Sequence, residues 1–250
     1  MEFMVIDAHV KLGSRFTGKP HPVEAYIQEM DKYGIDRAVI CPNKPLSYQV
    51  EEGNEYIESV LNKYGDRFIG AVRVDPWKRE GAIAELDKRF QNKRNKAIYI
   101  NPWEENFQCN RGVAIPIMDY AAKHNLPVII EAGYTWVSHI SQVGDLARKY
   151  PHVKFMVTNA GQLDLSGLTL GNVRYVLNKY NNIYMGTAAA VAVEWLSELV
   201  QKVAKGRILF ETGYPLFETY TEKFRIDKAY LEDSDKEEVF GSNIVEFLSL

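Results

Sequence analysis

Four short segments each close an apolar run and carry residue types that can do chemistry. They are Asp7-Ala8-His9-Val10-Lys11, Glu131-Ala132-Gly133, Thr158-Asn159-Ala160-Gly161 and Glu211-Thr212-Gly213-Tyr214-Pro215. His9, Lys11, Glu131, Asn159 and Glu211 offer an imidazole, an ammonium, two carboxylates and a carboxamide. His9 and Lys11 are two apart, so on a strand both side chains point to one face. Glu211 stands two before Gly213, and the same parity aims it inward, one layer deeper. A divalent hydrolytic site needs several neutral imidazoles or carboxylates and an open coordination position. A protonated lysine has no lone pair to give and repels a cation. Asparagine oxygen is a weak ligand, and Gly213 offers no side chain. A lysine beside a glutamate can instead stand in for a cation, because each neutralises the other. The sequence therefore predicts a Lys11–Glu131 ion pair and no cofactor. The alternative is a divalent metal such as zinc on His9, Glu131 and Glu211.

In acid–base terms, His9 or Glu131 would be the general base, with Lys11 and Asn159 stabilising developing negative charge. Glu211 would restore a carboxylate to the site or pair within the barrel floor. The predicted catalytic set is His9, Lys11, Glu131 and Glu211. Arg73 would clamp an anionic substrate, unless it forms a salt bridge with Asp75. His139 follows Ser138 at a helix start, so it would reach the ligand or cap the helix. Trp103, Tyr134 and Tyr214, with Trp136, Phe107 and Phe217, would give an aromatic pocket suited to a small organic ligand. The predicted ligand-binding set is Arg73, Trp103, Tyr134, His139, Asn159 and Tyr214.

These residues need a scaffold, and the rest of the chain describes one. Short apolar runs alternate with segments of helical period. The strands read as 3–6, 36–41, 68–72, 97–100, 127–131, 153–157, 183–185 and 207–210. The intervening helices read as 23–33 (stopped by Gly34), 53–64, 81–90, 113–125, 138–150, 166–179 and 191–204. Strands apolar on both faces fit a parallel sheet covered by helices. Eight such units in 250 residues predict a (β/α)8 TIM barrel. An open doubly wound sheet is the rival, but no G-x-G-x-x-G follows the first strand. No linker-like stretch interrupts the chain, so one domain over 1–250 is expected. The tail from Ser234 reads as two short helices broken at Gly241. Active sites of such barrels lie at the C-terminal strand ends. All four segments fall there, as do two long loops, 10–22 and 101–112.

Around these motifs the chain resembles the amidohydrolase-related family, a branch of the amidohydrolase superfamily of (β/α)8 metal-dependent hydrolases. Ile6-Asp7-Ala8-His9 resembles its opening motif, and Lys63 to Phe68 its approach to the third strand. Leu209 to Pro215 resembles its last-strand motif, which usually reads Gly-Ser-Asp-Tyr-Pro. Asn243 to Leu248 resembles its C-terminal helix. The resemblance implies that the first metal-binding histidine of the family matches His9, while Lys11 replaces the second. The fifth- and sixth-strand histidines match Glu131 and Asn159, and the last-strand aspartate matches Gly213. One of five positions is kept, so the resemblance implies the fold together with a degenerate metal site. Some branches hydrolyse lactones without metal.

The chain is 46% hydrophobic and 25% charged, with 30 basic and 33 acidic residues and a net charge of −3. No run of one sign suggests nucleic acid or an anionic membrane. The first residues carry no basic region ahead of their apolar ones, so no secretion signal is expected. No apolar stretch is long enough to span a bilayer. Cys41 and Cys109 are the only cysteines, so no disulfide framework is indicated and a cytoplasmic setting fits. No G-x-S-x-G elbow, Walker loop, H-E-x-x-H or paired C-x-x-C occurs. Three functions follow, with the expected partner a small molecule and homo-oligomerisation left open. The first is a hydrolase or lyase of a small carbonyl or carboxylate compound, working without a tightly bound metal. The second is a non-catalytic ligand-binding or partner subunit. The third is a metal enzyme using His9, Glu131 and Glu211.

Overall fold

A computed structural model describes residues 3–16, 18–162 and 168–250. Eight parallel strands form one sheet in sequence order: β1 (Ile6–Leu12), β2 (Arg37–Pro42), β3 (Phe68–Arg73), β4 (Asn95–Ile100), β5 (Val128–Ile130), β6 (Phe155–Val157), β7 (Ile183–Gly186) and β8 (Ile208–Leu209). The last strand meets the first through Ala8 N–H to Phe210 O at 2.8 Å and Lys11 N–H to Tyr214 O at 2.9 Å. This is the (β/α)8 barrel expected from the alternation of apolar runs.

The helices lie between the strands. They are α1 (Val23–Tyr33), α2 (Val50–Lys63), α3 (Glu80–Arg89), α4 (Ile115–His124), α5 (Ile140–Lys149), α6 (Leu168–Lys179), α7 (Val193–Glu198) and α8 (Thr219–Asp227). Gly34 ends α1 in the left-handed region, with its N–H on Met30 O, as a glycine C-cap does. The predicted start of α6 at Ser166 lies outside the described residues. None of the described helices is long and apolar enough to cross a membrane.

Two expectations need correcting. The first strand runs from Ile6 to Leu12 and not from Phe3 to Ile6. His9 and Lys11 therefore sit inside β1, and the loop that follows is shorter than expected. The tail is likewise not broken at Gly241. It runs through α9 (Asp233–Glu237), a wider π-helical turn at Glu238–Ser242 and α10 (Asn243–Leu248) without a gap. Gly241 is there for closeness: a Cβ would stand 2.5 Å from Met4 O. The tail turns over the start of the chain, and α10 sends Ile244, Phe247 and Leu248 into the same cluster as Ile6, Ala97, Ile129 and Met156. Those residues fill the barrel interior, so α10 closes its lower end.

Register makes the site. On β1, Asp7 pairs with Ala38 and Val10 with Ile40. Three steps on β1 thus oppose two on β2, a one-residue bulge that re-aims the strand. Below it, Ile6 and Ala8 face the interior cluster, whereas beyond it Val10 and Leu12 face the outer helices. His9 and Lys11 consequently turn into the barrel mouth.

Candidate functional site

Glu131, directly after β5, is the hub of the mouth and is 1% exposed. Its Oε1 accepts from Lys11 Nζ at 3.1 Å and from Asn159 Nδ2 at 3.2 Å. Its Oε2 accepts from the Tyr99 hydroxyl at 2.7 Å and lies 3.6 Å from His9 Nε2. Burial alone would raise its pKa, but Lys11, His9 and Tyr99 outweigh burial and hold the carboxyl down at about 2. Lys11 mirrors this: burial opposes its charge, but Glu131 beside it leaves the ammonium pKa above its ordinary value. The ion pair expected from the sequence is present.

Glu211 lies two residues past Leu209, on the inward parity of β8. Its Oε1 meets His9 Nδ1 at 2.9 Å, and its Oε2 accepts from the Asn159 backbone N–H at 2.9 Å. Gly186 on β7 makes room, since a Cβ there would fall 2.0 Å from Glu211 Oε2. His9 is thus held at Nδ1, while its buried Nε2 has no hydrogen-bond partner among the described residues. Burial works against the imidazolium. Cys41 beside the ring and the carboxylates of Glu211 and Glu131 outweigh burial and push His9 up to about 10. At neutral pH His9 therefore carries its proton. Asp7 serves the strand instead of the mouth. It accepts from the Tyr26 hydroxyl at 2.6 Å, from Thr212 N–H at 3.0 Å and from the Thr212 hydroxyl, and burial raises it to about 6.

Beside Lys11, the partner of Glu131, opens a cavity of about 250 Å³ lined by Lys11, Arg15, Phe16, Asn43, Asn101, Trp103, Glu104, Tyr134, Pro215 and Leu216. Trp103 and Tyr134 form one wall, their rings parallel within 4° and 4.8 Å apart. Asn159 is bonded to Glu131, and the other three ligand-binding candidates lie elsewhere. Arg73 is fully buried and pairs with Glu104 and Glu105. Its expected alternative partner, Asp75, accepts instead from Trp77 N–H at 3.0 Å. His139 caps α5: its Nδ1 accepts from Ser141 N–H at 3.2 Å, and its N–H donates to Gln142 Oε1 at 2.9 Å. Tyr214 packs on Tyr26 with ring centroids 4.9 Å apart. Of the remaining aromatics, Trp136 is 80% exposed and Phe107 is in the core. Phe217 packs beneath Gly213. Sequence reasoning missed Tyr99, Arg15, Asn43, Asn101 and Glu104. Tyr99 was findable, because it stands two past Ala97 on a strand already recognised.

Gly213 has φ +62°, and a Cβ on it would stand 2.9 Å from the Phe217 ring. Gly213→Asp, which would write back the aspartate of the resembled motif, is expected to destabilise the protein by about 1–3 kcal/mol. Urea unfolding of the variant checks this; an unchanged midpoint would show that the turn accepts a side chain.

The sequence over residues 6–250 matches the family model described as amidohydrolase. The chain belongs to the amidohydrolase family. No curated protein matches it. Among solved structures, a dihydroxybenzoic acid decarboxylase from a Polaromonas species, with bound manganese and the inhibitor 2-nitroresorcinol, is 14% identical with TM-score 0.78, covering 99% of this chain and 97% of that one. A 5-carboxyvanillate decarboxylase from Novosphingobium aromaticivorans, complexed with manganese and 4-hydroxy-3-methoxy-5-nitrobenzoic acid, is 16% identical with TM-score 0.80, covering 99% and 96%. A 4-oxalomesaconate hydratase from Rhodopseudomonas palustris is 19% identical with TM-score 0.71, covering 98% and 96%. At these identities the likeness is one of fold.

The two manganese-bound relatives correct the expectation of no cofactor: amidohydrolases of this fold include metal-dependent members. Among the described residues, no group of three or more His, Cys, Asp or Glu side chains is placed to hold an ion. Glu211 is bound at Nδ1 of His9 and Glu131 lies beyond Nε2, so the two carboxylates flank the His9 ring and the three alternative ligands do not converge. Lys11 Nζ occupies the approach to Glu131 Oε1. This donor set does not fit a metal held by several side chains.

Proposed function

We propose that this amidohydrolase is a lyase or hydrolase acting on a small carboxylate held in the mouth cavity. The observation that carries the reading is the Lys11 ammonium at the floor of a cavity whose wall is the Trp103–Tyr134 stack. A carboxylate reaching Lys11 would gain a charge-assisted bond where water is scarce, and its organic body would lie along the aromatic wall. The fold relatives that act on dihydroxybenzoic acid, 5-carboxyvanillate and 4-oxalomesaconate support this substrate class. In this reading His9, already protonated, is the acid and not the base expected from sequence. Glu211 holds its ring, Asn159 bridges the two carboxylates, and Lys11 balances negative charge on the substrate.

The test is turnover of a panel of hydroxybenzoates and 5-carboxyvanillate, followed by product chromatography with and without added manganese. Conversion of at least one acid is expected. Lys11→Met should lower it by about 10²–10³-fold, the scale for removing one charge-stabilising donor. Turnover unaffected by Lys11→Met would sink the assignment of the floor.

One observation favours a non-catalytic, ligand-binding reading. Glu131 is held at about 2 and His9 at about 10, so both of these buried groups stay charged through the neutral range. A general acid or base works best with a pKa near the working pH. Binding of the panel with no product under any condition would select this second reading.

A further inference from the structure

The hydrogen-bonding capacity left free in the cavity says more about the ligand than its shape does. Asn43 Nδ2 is engaged with Lys11 O at 3.3 Å. Asn101 donates to the Tyr99 hydroxyl at 3.2 Å and accepts from Glu104 N–H at 3.0 Å. The Glu104 carboxylate is taken by Arg73. Two donors remain. Lys11 uses one N–H on Glu131 and keeps the others. Arg15 uses none: the residue is half-buried, and among the described residues its guanidinium forms no hydrogen bond or ion pair.

Arg15 is held in place by the backbone on both sides. Gly13 and His21 exchange two hydrogen bonds, of 2.7 and 2.9 Å, directly after β1. Phe16 N–H is bound to Lys44 O at 2.8 Å. Arg15 therefore projects from a short pinned segment. Burial pushes the Tyr134 hydroxyl up, and the Arg15 charge pulls against that shift, so Arg15 is felt at the aromatic wall. The cavity thus carries one cation paired with Glu131 and a second, from the loop after β1, that has no acidic partner among the described residues.

We propose that the site takes a ring-bearing compound with two acid groups, one bound by Lys11 and the other by Arg15, and that Arg15 selects such diacids over mono-acids. The proposal rests on the mouth cavity being the ligand site. An unpaired guanidinium prefers a carboxylate, which it can grip with two parallel N–H bonds. A ring between the two groups sets their spacing and stacks on Trp103. A mono-acid satisfies Lys11 and leaves Arg15 to water.

The test uses the full chain, titrated by calorimetry with benzoate and with isophthalate as probes. Isophthalate is expected to bind at least about tenfold more tightly, the factor carried by about 1.4 kcal/mol. Arg15→Met should abolish that preference while leaving benzoate affinity within about twofold. Lys11→Met should weaken both probes; Lys11→Gln, which keeps a polar end, serves if the methionine variant fails to fold. Equal affinities in the unmodified protein would overturn the proposal and leave the cavity reading standing. So would an Arg15→Met variant that loses benzoate and isophthalate alike, because Arg15 would then share the first carboxylate. Binding of neither probe would overturn both.

Discussion

Lys11→Met and Glu131→Gln are each expected to cost about 3–5 kcal/mol, while the double variant recovers much of that loss. The motive is the 3.1 Å contact between two side chains that are 11% and 2% exposed. A buried charge deprived of its partner keeps its desolvation cost and loses the interaction that offset it. Removing Lys11 leaves Glu131 with Tyr99, Asn159 and His9. Removing the Glu131 charge leaves the Lys11 ammonium without its carboxylate and the imidazolium with Glu211 alone. Removing both leaves neither charge of the pair uncompensated. Urea unfolding of the wild type, both single variants and the double variant gives the coupling energy directly. Additive losses would show that the two residues do not act as a pair, and the reading of Lys11 as the electrostatic centre of the mouth would fall with it.

How much of this was legible in the sequence depends on the length scale of each cause. The barrel was readable because strand and helix periodicity are local, and eight repeats of one unit leave few topologies. Glu211 was readable because parity on a strand is also local. The β1 boundary was not, because Asp7, His9 and Lys11 interrupt the apolar pattern by which a strand is recognised. Those polar side chains are tolerated only through partners far along the chain: Tyr26 and Thr212 for Asp7, Glu211 for His9, Glu131 for Lys11. Arg73 shows the same limit. Asp75 was the obvious local partner, but Glu104 and Glu105 bind Arg73 across about thirty residues of chain, as the separations of 31 and 32 positions record. The tail was misread for a related reason. Gly241 looked like a helix stop, yet its cause is the backbone of Met4 pressed against it, a contact between the two ends of the described chain.

The second large effect expected is a loss of stability on the alkaline side that belongs to His9. Its pKa is raised from 6.5 to about 10 in the folded protein. A group whose folded pKa is raised binds its proton more tightly in the native state. Its contribution is therefore complete below the unfolded value and is lost as pH climbs through the folded one. The window runs from 6.5 to about 10, and within it stability should fall by up to about 1.4 kcal/mol for each pH unit. Glu131 works in the opposite sense, being lowered from 4.5 to about 2. Its contribution is present above the unfolded value and disappears as pH falls through that lower window, so it leaves the alkaline limb untouched. His9→Gln keeps a polar side chain between Glu211 and Glu131 but removes the titration. The variant should be much less stable than the wild type at pH 6.5, and the gap should close steadily toward pH 10. Denaturant unfolding at half-unit steps measures both curves. Two profiles that stay parallel would mean that His9 does not carry its proton in the folded protein. The site would then hold a neutral imidazole, and the acid role proposed for it would have to pass to Lys11.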